Sequence, residues 1–334
     1  MAGPSPDVLD LRPPADGAGH DRWRRLCARG AGLEGEADVA AREVIAAVRE
    51  RGDAAVSELT ERYEGRHIAD FELSPQARRA AAAEIPADLR DALGLAASNI
   101  RAFHETQRSG DTGLHRGDLR LTSRVRPLAR VAVYAPGGTA AYPSSVLMTA
   151  IPAKVAGVPE VILFTPRPSS VVLLAAELAQ VDRVFAVGGA QAIAAAALGT
   201  AQIPRVDKIV GPGNAYVTAA KRQVFGLVDI DGIAGPSEIL VLADANADPV
   251  LIAADLLAQA EHDTLACAVV VTDAPALVPK IHAAIAAQLE DLPRREIAAR
   301  ALADHGAIVL VADRDAMVAA ANAYAPEHLE LLVD

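Results

Sequence analysis

Cysteine is scarce: two thiols, Cys27 and Cys267, stand far apart in 334 residues and form no CxxC pair. That excludes a disulfide framework and a thiolate zinc site, so a metal here would be held by imidazole, carboxylate or amide groups. Positive charge is also short. Lys and Arg number 32 against 43 Asp and Glu, a formal net charge of −11. Such a balance argues against nucleic acid or an anionic membrane as the main partner. Every apolar run is broken by Gly, Pro or charge before the ~20 residues a membrane span needs. The stretch from Met1 to Asp16 lacks the basic-then-apolar order of a secretory signal, so a cytoplasmic protein is expected. What is plentiful is apolar material, 51% of the chain beside 22% charged residues. That suffices for a packed core, and the length calls for more than one domain.

Residues 1–35 are rich in Gly, Pro and Asp, with one apolar patch at Trp23 and Leu26, and read as an N-terminal arm. From Asp38 the spacing turns helical: Val44 and Val48 share a face, Gly52 ends the helix, and Val56, Leu59 and Tyr63 continue the pattern. Ser74-Pro75 reads as an N-cap with proline at the first helical position. After Pro127 short apolar runs alternate with Ala-rich helical stretches, the mark of a parallel sheet covered on both faces. The expected division is an arm at 1–35, one discontinuous α/β lobe from 36–126 plus 235–334, and a second lobe, 127–234, inserted into it. The last residues, His328 to Asp334, read as a strand entering a core, and the first lobe is expected to be C-terminally incomplete.

Three glycine turns follow strands: Ala135-Pro-Gly-Gly-Thr139, Gly188-Gly-Ala-Gln191 and Gly211-Pro-Gly-Asn214. Backbone N–H groups and helix N-termini at such strand ends suit a nucleotide crevice, yet none of the three matches GxGxxG, and glycine is common there simply to make the turn. Gln259 and His262 lie three apart on one helix face, shared by Asp255. They can supply two ligands to a metal or can be an ordinary solvated helix end. Glu327 and His328 set a carboxylate beside an imidazole just before a strand, a pair able to share acid–base work or a chance neighbourhood in a loop. Cys267 lies in an apolar strand and reads as an inert core thiol. Asp207 and Lys208 read as a surface pair, and His104 has no task that spacing can assign.

Taken in order, the strings Tyr134-Ala-Pro-Gly-Gly138, Val187-Gly-Gly-Ala-Gln-Ala-Ile193, Val206-Asp-Lys-Ile-Val-Gly-Pro-Gly-Asn-Ala215, Ala234-Gly-Pro-Ser-Glu238, Gln259-Ala-Glu-His262 and Tyr324-Ala-Pro-Glu-His-Leu329 closely resemble the histidinol dehydrogenase family. The resemblance runs from about Ala40 to Val333. It implies an α/β fold of two Rossmann-like parallel-sheet lobes, aldehyde-dehydrogenase-like, with one lobe inserted in the other. It implies NAD-dependent, four-electron oxidation of L-histidinol to L-histidine through the aldehyde, the last step of histidine biosynthesis, by a cytoplasmic homodimer with one zinc per site. By the same resemblance Tyr134, Gln191 and Asn214 match the NAD contacts, Ser237 a substrate contact, and Gln259 and His262 two zinc ligands that also border the substrate. Glu327 and His328 match the catalytic acid–base pair, His328 also touching substrate. Family members continue past this chain's last residue with an Asp and a His that complete the zinc shell. The chain by itself is therefore expected to be a fragment without turnover. Two other readings are a truncated homologue that binds nucleotide without catalysis, and a different NAD enzyme of aldehyde-dehydrogenase-like architecture. The retained Glu327-His328 and Gln259/His262 weigh against the former, and the unreactive setting of Cys267 against the latter.

Overall fold

The computed structural model describes residues 5–13, 17–28, 35–137, 141–233, 235 and 237–334. The chain forms two compact units, one from Met1–Gly32 with Gly235–Asp334 and the other from Leu33–Ala234. The second thus lies, in sequence, between the two parts of the first.

The chain opens with β1 (Asp7–Asp10) and α1 (Gly17–Cys27). The intervening unit carries α2 (Glu36–Arg51), α3 (Asp53–Glu64), α4 (Pro75–Ala83), α5 (Ala87–Glu105), β2 (Thr112–Arg116), β3 (Leu119–Ser123), β4 (Arg130–Tyr134), α6 (Pro143–Val155), β5 (Glu160–Phe164), α7 (Ser170–Leu178), β6 (Arg183–Phe185), α8 (Gly189–Leu198), β7 (Lys208–Val210), α9 (Ala215–Val224) and β8 (Asp229–Ile230). The first unit resumes with β9 (Glu238–Ala243), α10 (Pro249–Ala260), β10 (Cys267–Thr272), α11 (Val278–Glu290), α12 (Arg295–His305), β11 (Ala307–Leu310), α13 (Arg314–Tyr324) and β12 (His328–Leu332).

In the first unit the sheet order is β1-β11-β10-β9-β12, every pairing parallel. Counted from β9, the order is 3-2-1-4 with β1 added at the edge. Strands buried on both faces need no polar alternation, and all six residues of β10 are buried. Val269, Val270 and Val271 alone stabilise the unit by roughly 1.5–3 kcal/mol each. One face, with Val241, Val270 and Ile308, packs under α10, α11 and α12, while Leu240, Val269 and Val309 pack under α1 and α13. Asp248 starts α10 by accepting the Val250 N–H at 2.8 Å, and Pro249 follows at the first helical position.

In the intervening unit the main sheet runs β6-β5-β4-β7-β8, again all parallel. Counted from β4 this is 3-2-1-4-5, a doubly wound order whose direction reverses between β4 and β7. The helices α2, α8 and α9 cover one face, where Val44 and Val48 meet Ile162 and Ile209, and α6 and α7 cover the other. Gly52 (φ 54°) ends α2 and Ser74 caps α4 through the Ala77 N–H, both as the sequence indicates.

Three expectations change. The segment 36–126 does not join 235–334; its helices belong to the intervening unit because Val44, Ile45, Val48 and Leu59 complete that unit's core. Residues 1–35 are no detached arm. Asp7–Asp10 adds an edge strand to the first sheet, while Trp23 and Leu26 are buried against it. Short extended stretches of four residues, bounded by Pro and Asp, carry too little periodicity to be read alone. Lys208 pairs not with Asp207 but with Asp229, at 2.7 Å, since neighbours on a strand point to opposite faces. Asp207 instead accepts the N–H groups of Ala129 and Arg130.

Candidate functional site

In the intervening unit the predicted residues sit at the carboxyl ends of strands on either side of the reversal point. Tyr134 ends β4, Gln191 lies in the first turn of α8 after β6, and Asn214 caps α9 after β7. The turns are packed too tightly for side chains. A Cβ on Gly211, whose φ is 114°, would stand 2.1 Å from the carbonyl oxygen of Tyr134. One on Gly137 would stand 2.1 Å from the Pro166 carbonyl oxygen, and one on Gly188 2.6 Å from the Pro166 ring. Pro166, following β5, is thus wedged between two of the glycine turns. Part of the first turn, Gly138 and Thr139, lies outside the described residues.

The Tyr134 hydroxyl accepts the Gly189 N–H at 3.0 Å. Burial pushes this phenol up to about 12, opposed by the Gly189 hydrogen bond, so it stays a neutral hydroxyl at any physiological pH. Gln191 is buried. Asn214 commits its side-chain oxygen to the Val217 N–H at 3.1 Å, leaving the amide nitrogen as the group it can offer a ligand. Sequence reading missed three side chains here. Glu64 accepts the Gly188 N–H at 3.3 Å, and Lys221 and Asp231 hold Gly211. All three come from positions outside the glycine motifs.

In the first unit the remaining predicted residues gather at the opposite, amino ends of the strands. Ser237 directly precedes β9, and its carbonyl accepts the Cys267 N–H at 3.0 Å. Glu327 donates its N–H to a Glu238 carboxylate oxygen at 3.0 Å, and His328 opens β12 opposite Ile239. Between parallel strands α10 runs back antiparallel, so its last turn, with Gln259 and His262, returns to those same amino ends. Faces agree as well. His328 and Glu330 share the face of their register partners Ile239 and Val241, which is the face α10 covers. Asp255 of α10 meets Glu330, whose carboxyl is raised first by burial and then by the Asp255 charge and hydrogen bond. From that contact Gln259 lies ~6 Å further along the helix and His328 ~7 Å back along the strand, so both stand at a common level.

The His262 Nδ1 lies 2.9 Å from the carbonyl oxygen of Ala258. A carbonyl only accepts, so Nδ1 carries the proton and Nε2 keeps its lone pair. Gln259 is buried, with its side-chain nitrogen lacking any partner. The Glu327 carboxylate lies 3.8 Å from His328 Nδ1, and both side chains are more than half exposed. Cys267 is held in the core, its thiol 3.1 Å from the His305 carbonyl and 3.0 Å from the Tyr324 hydroxyl, as a structural thiol would be. His104 makes a local contact to Gln107 at 2.6 Å.

Two parallel, doubly covered sheets, one with glycine turns at its strand ends and one with an amide–imidazole–carboxylate cluster, define an α/β enzyme. A family model described as histidinol dehydrogenase matches residues 29–334. The histidinol dehydrogenase of Cupriavidus pinatubonensis is 48% identical over 321 residues, 92% of this chain and 72% of that protein. That of Dechloromonas aromatica is 50% identical over 296 residues, 86% of this chain and 68% of the relative. The crystal structure of histidinol dehydrogenase from Elizabethkingia anophelis superposes with a TM-score of 0.88 at 32% identity, covering 100% of this chain and 77% of that one. The chain belongs to the histidinol dehydrogenase family, and with it to the oxidoreductases of histidine biosynthesis.

Proposed function

We propose that the chain carries the NAD-dependent oxidation of L-histidinol to L-histidine, with Gln259 and His262 as zinc ligands and Glu327 and His328 as the acid–base pair. The observation that carries this reading is the convergence of Ser237, Gln259, His262, Glu327 and His328, spread over ninety residues of sequence, on one end of one sheet. The 3-2-1-4 strand order in both units supports a Rossmann-like reading of each.

The donors suit zinc. His262 presents an Nε2 lone pair, and the buried Gln259 amide can offer its carbonyl oxygen, its nitrogen being a donor that no metal would satisfy. Among the described residues no group of three or more His, Cys, Asp or Glu gathers, so these two side chains are part of a donor set. Zinc, when bound, would orient the substrate's imidazole and amine. NAD, when bound along Tyr134, Gln191 and Asn214, would accept the hydride of each oxidation. His328 takes the alcohol proton as hydride leaves. As water adds to the aldehyde, Glu327 draws a proton from it and His328 returns its own proton to the aldehyde oxygen; the neutral imidazole then deprotonates the hydrate for the second oxidation. Because the aldehyde is trapped as its hydrate, no thiol is required, in keeping with the buried Cys267.

Metal content tests the assignment. His262→Ala should reduce bound zinc, measured by mass spectrometry after gel filtration, by at least about tenfold. A variant that keeps its zinc would remove His262 from the donor set.

The homodimer is part of the same proposal. Among the described residues, strands β2 and β3 pair only with each other, and every residue of both is exposed. Leu114, Leu119 and Leu121 share one face of this hairpin. A lone hairpin is marginal in water, and a second subunit is the natural cover for it. Leu121→Asp should shift the protein toward monomer in sedimentation velocity; an unchanged dimer would place the interface elsewhere.

A further inference from the structure

A buried ammonium lies behind the Gly211-Asn214 turn. Lys221, on α9, is 4% exposed, and it donates to the Gly211 carbonyl at 3.0 Å and to an Asp231 carboxylate oxygen. The other Asp231 oxygen accepts the Gly211 N–H at 2.6 Å, and the first also takes the Gly232 N–H at 2.9 Å. One ion pair therefore holds both backbone polar groups of the residue whose φ is 114° and whose Cα lies against Tyr134. Removing an ammonium from water is costly, and Leu or Met would fill the same volume in α9 without that cost. What the lysine adds over an apolar residue is a fixed geometry for Gly211, three residues before the helix cap Asn214.

We infer that Lys221 and Asp231 are a positioning pair that sets the Gly211-Asn214 turn in shape to receive the dinucleotide. The inference rests on the reading that this turn binds NAD. The pair acts through the turn and touches no ligand. Its two charges cancel, so its contribution is shape and not attraction for phosphate.

That distinction gives the test. NADH binding to the full 334-residue chain is followed by fluorescence titration, with thermal unfolding recorded on the same samples. Lys221→Met and Asp231→Asn should each weaken NADH about tenfold, the scale of one lost or misplaced polar contact. Asp231→Asn keeps an acceptor for Gly211 and alters a side chain that is 39% exposed, so it remains informative should Lys221→Met unfold. A tighter complex in Asp231→Asn would show the ammonium acting as a bare charge and overturn the inference. Unchanged affinity in both variants, with Asn214→Ala weakened, would overturn it while leaving the cofactor reading in place. Unchanged affinity in Asn214→Ala as well, or no NADH binding by the parent chain, would remove both.

Discussion

In the context of a full-length family member, histidinol-dependent NADH formation falls by about 10²–10⁴-fold in His328→Asn, the usual scale for one positioned acid–base group. The imidazole opens β12 with more than half its side chain in solvent, so asparagine keeps the β-strand and the core intact. Loss of stability therefore does not confuse the result. Asparagine retains hydrogen-bonding capacity and size but cannot hold a proton reversibly near neutral pH. Glu327→Gln should instead slow mainly the second oxidation, because the carboxylate is assigned to water and not to the alcohol. Its signature is aldehyde trapped by semicarbazide during turnover. A His328→Asn enzyme within a few-fold of its parent would take the imidazole out of the chemistry.

Gly211→Ala has the largest expected effect on stability. The new methyl would have to occupy space 2.1 Å from a backbone oxygen of β4, and the residue would keep a φ of 114° that side chains disfavour. Neither atom belongs to a flexible side chain that could turn aside. Strain and overpacking together cost about 3–5 kcal/mol, a fall in the unit's unfolding midpoint on the order of 10 °C. Calorimetry that shows the parent midpoint would mean that the turn relaxes without loss. Gly226→Ala is the matched control. Its φ is 93°, but a Cβ there meets nothing within 4 Å, so only the backbone strain remains.

Much of the fold could be read from periodicity, because parallel strands buried on both faces announce themselves as unbroken apolar runs. Arg130–Tyr134 and Lys208–Val210, two of the short runs after Pro127, are strands of one parallel sheet. What escaped was whatever depends on a distant partner. The strand at Asp7–Asp10 exists because Ala307–Leu310 offers it an edge, and the exposed hairpin has no buried face to leave a pattern. The allegiance of α2 and α3 escaped for the same reason, since an amphipathic face says that a helix packs but not onto which sheet. At the site, residue types inside motifs were legible and their supports were not. Lys221 reads as one more charge near a helix end until Gly211 and Asp231 are seen around it.

On the proposed zinc assignment, the bond from His262 Nδ1 to the Ala258 carbonyl bears on metal uptake. The helix itself chooses which ring nitrogen carries hydrogen and which keeps its lone pair. Capture at Nε2 would then demand no flip of the ring. An ion bound there would meet a donor already oriented, the entropy of choosing that orientation having been spent during folding.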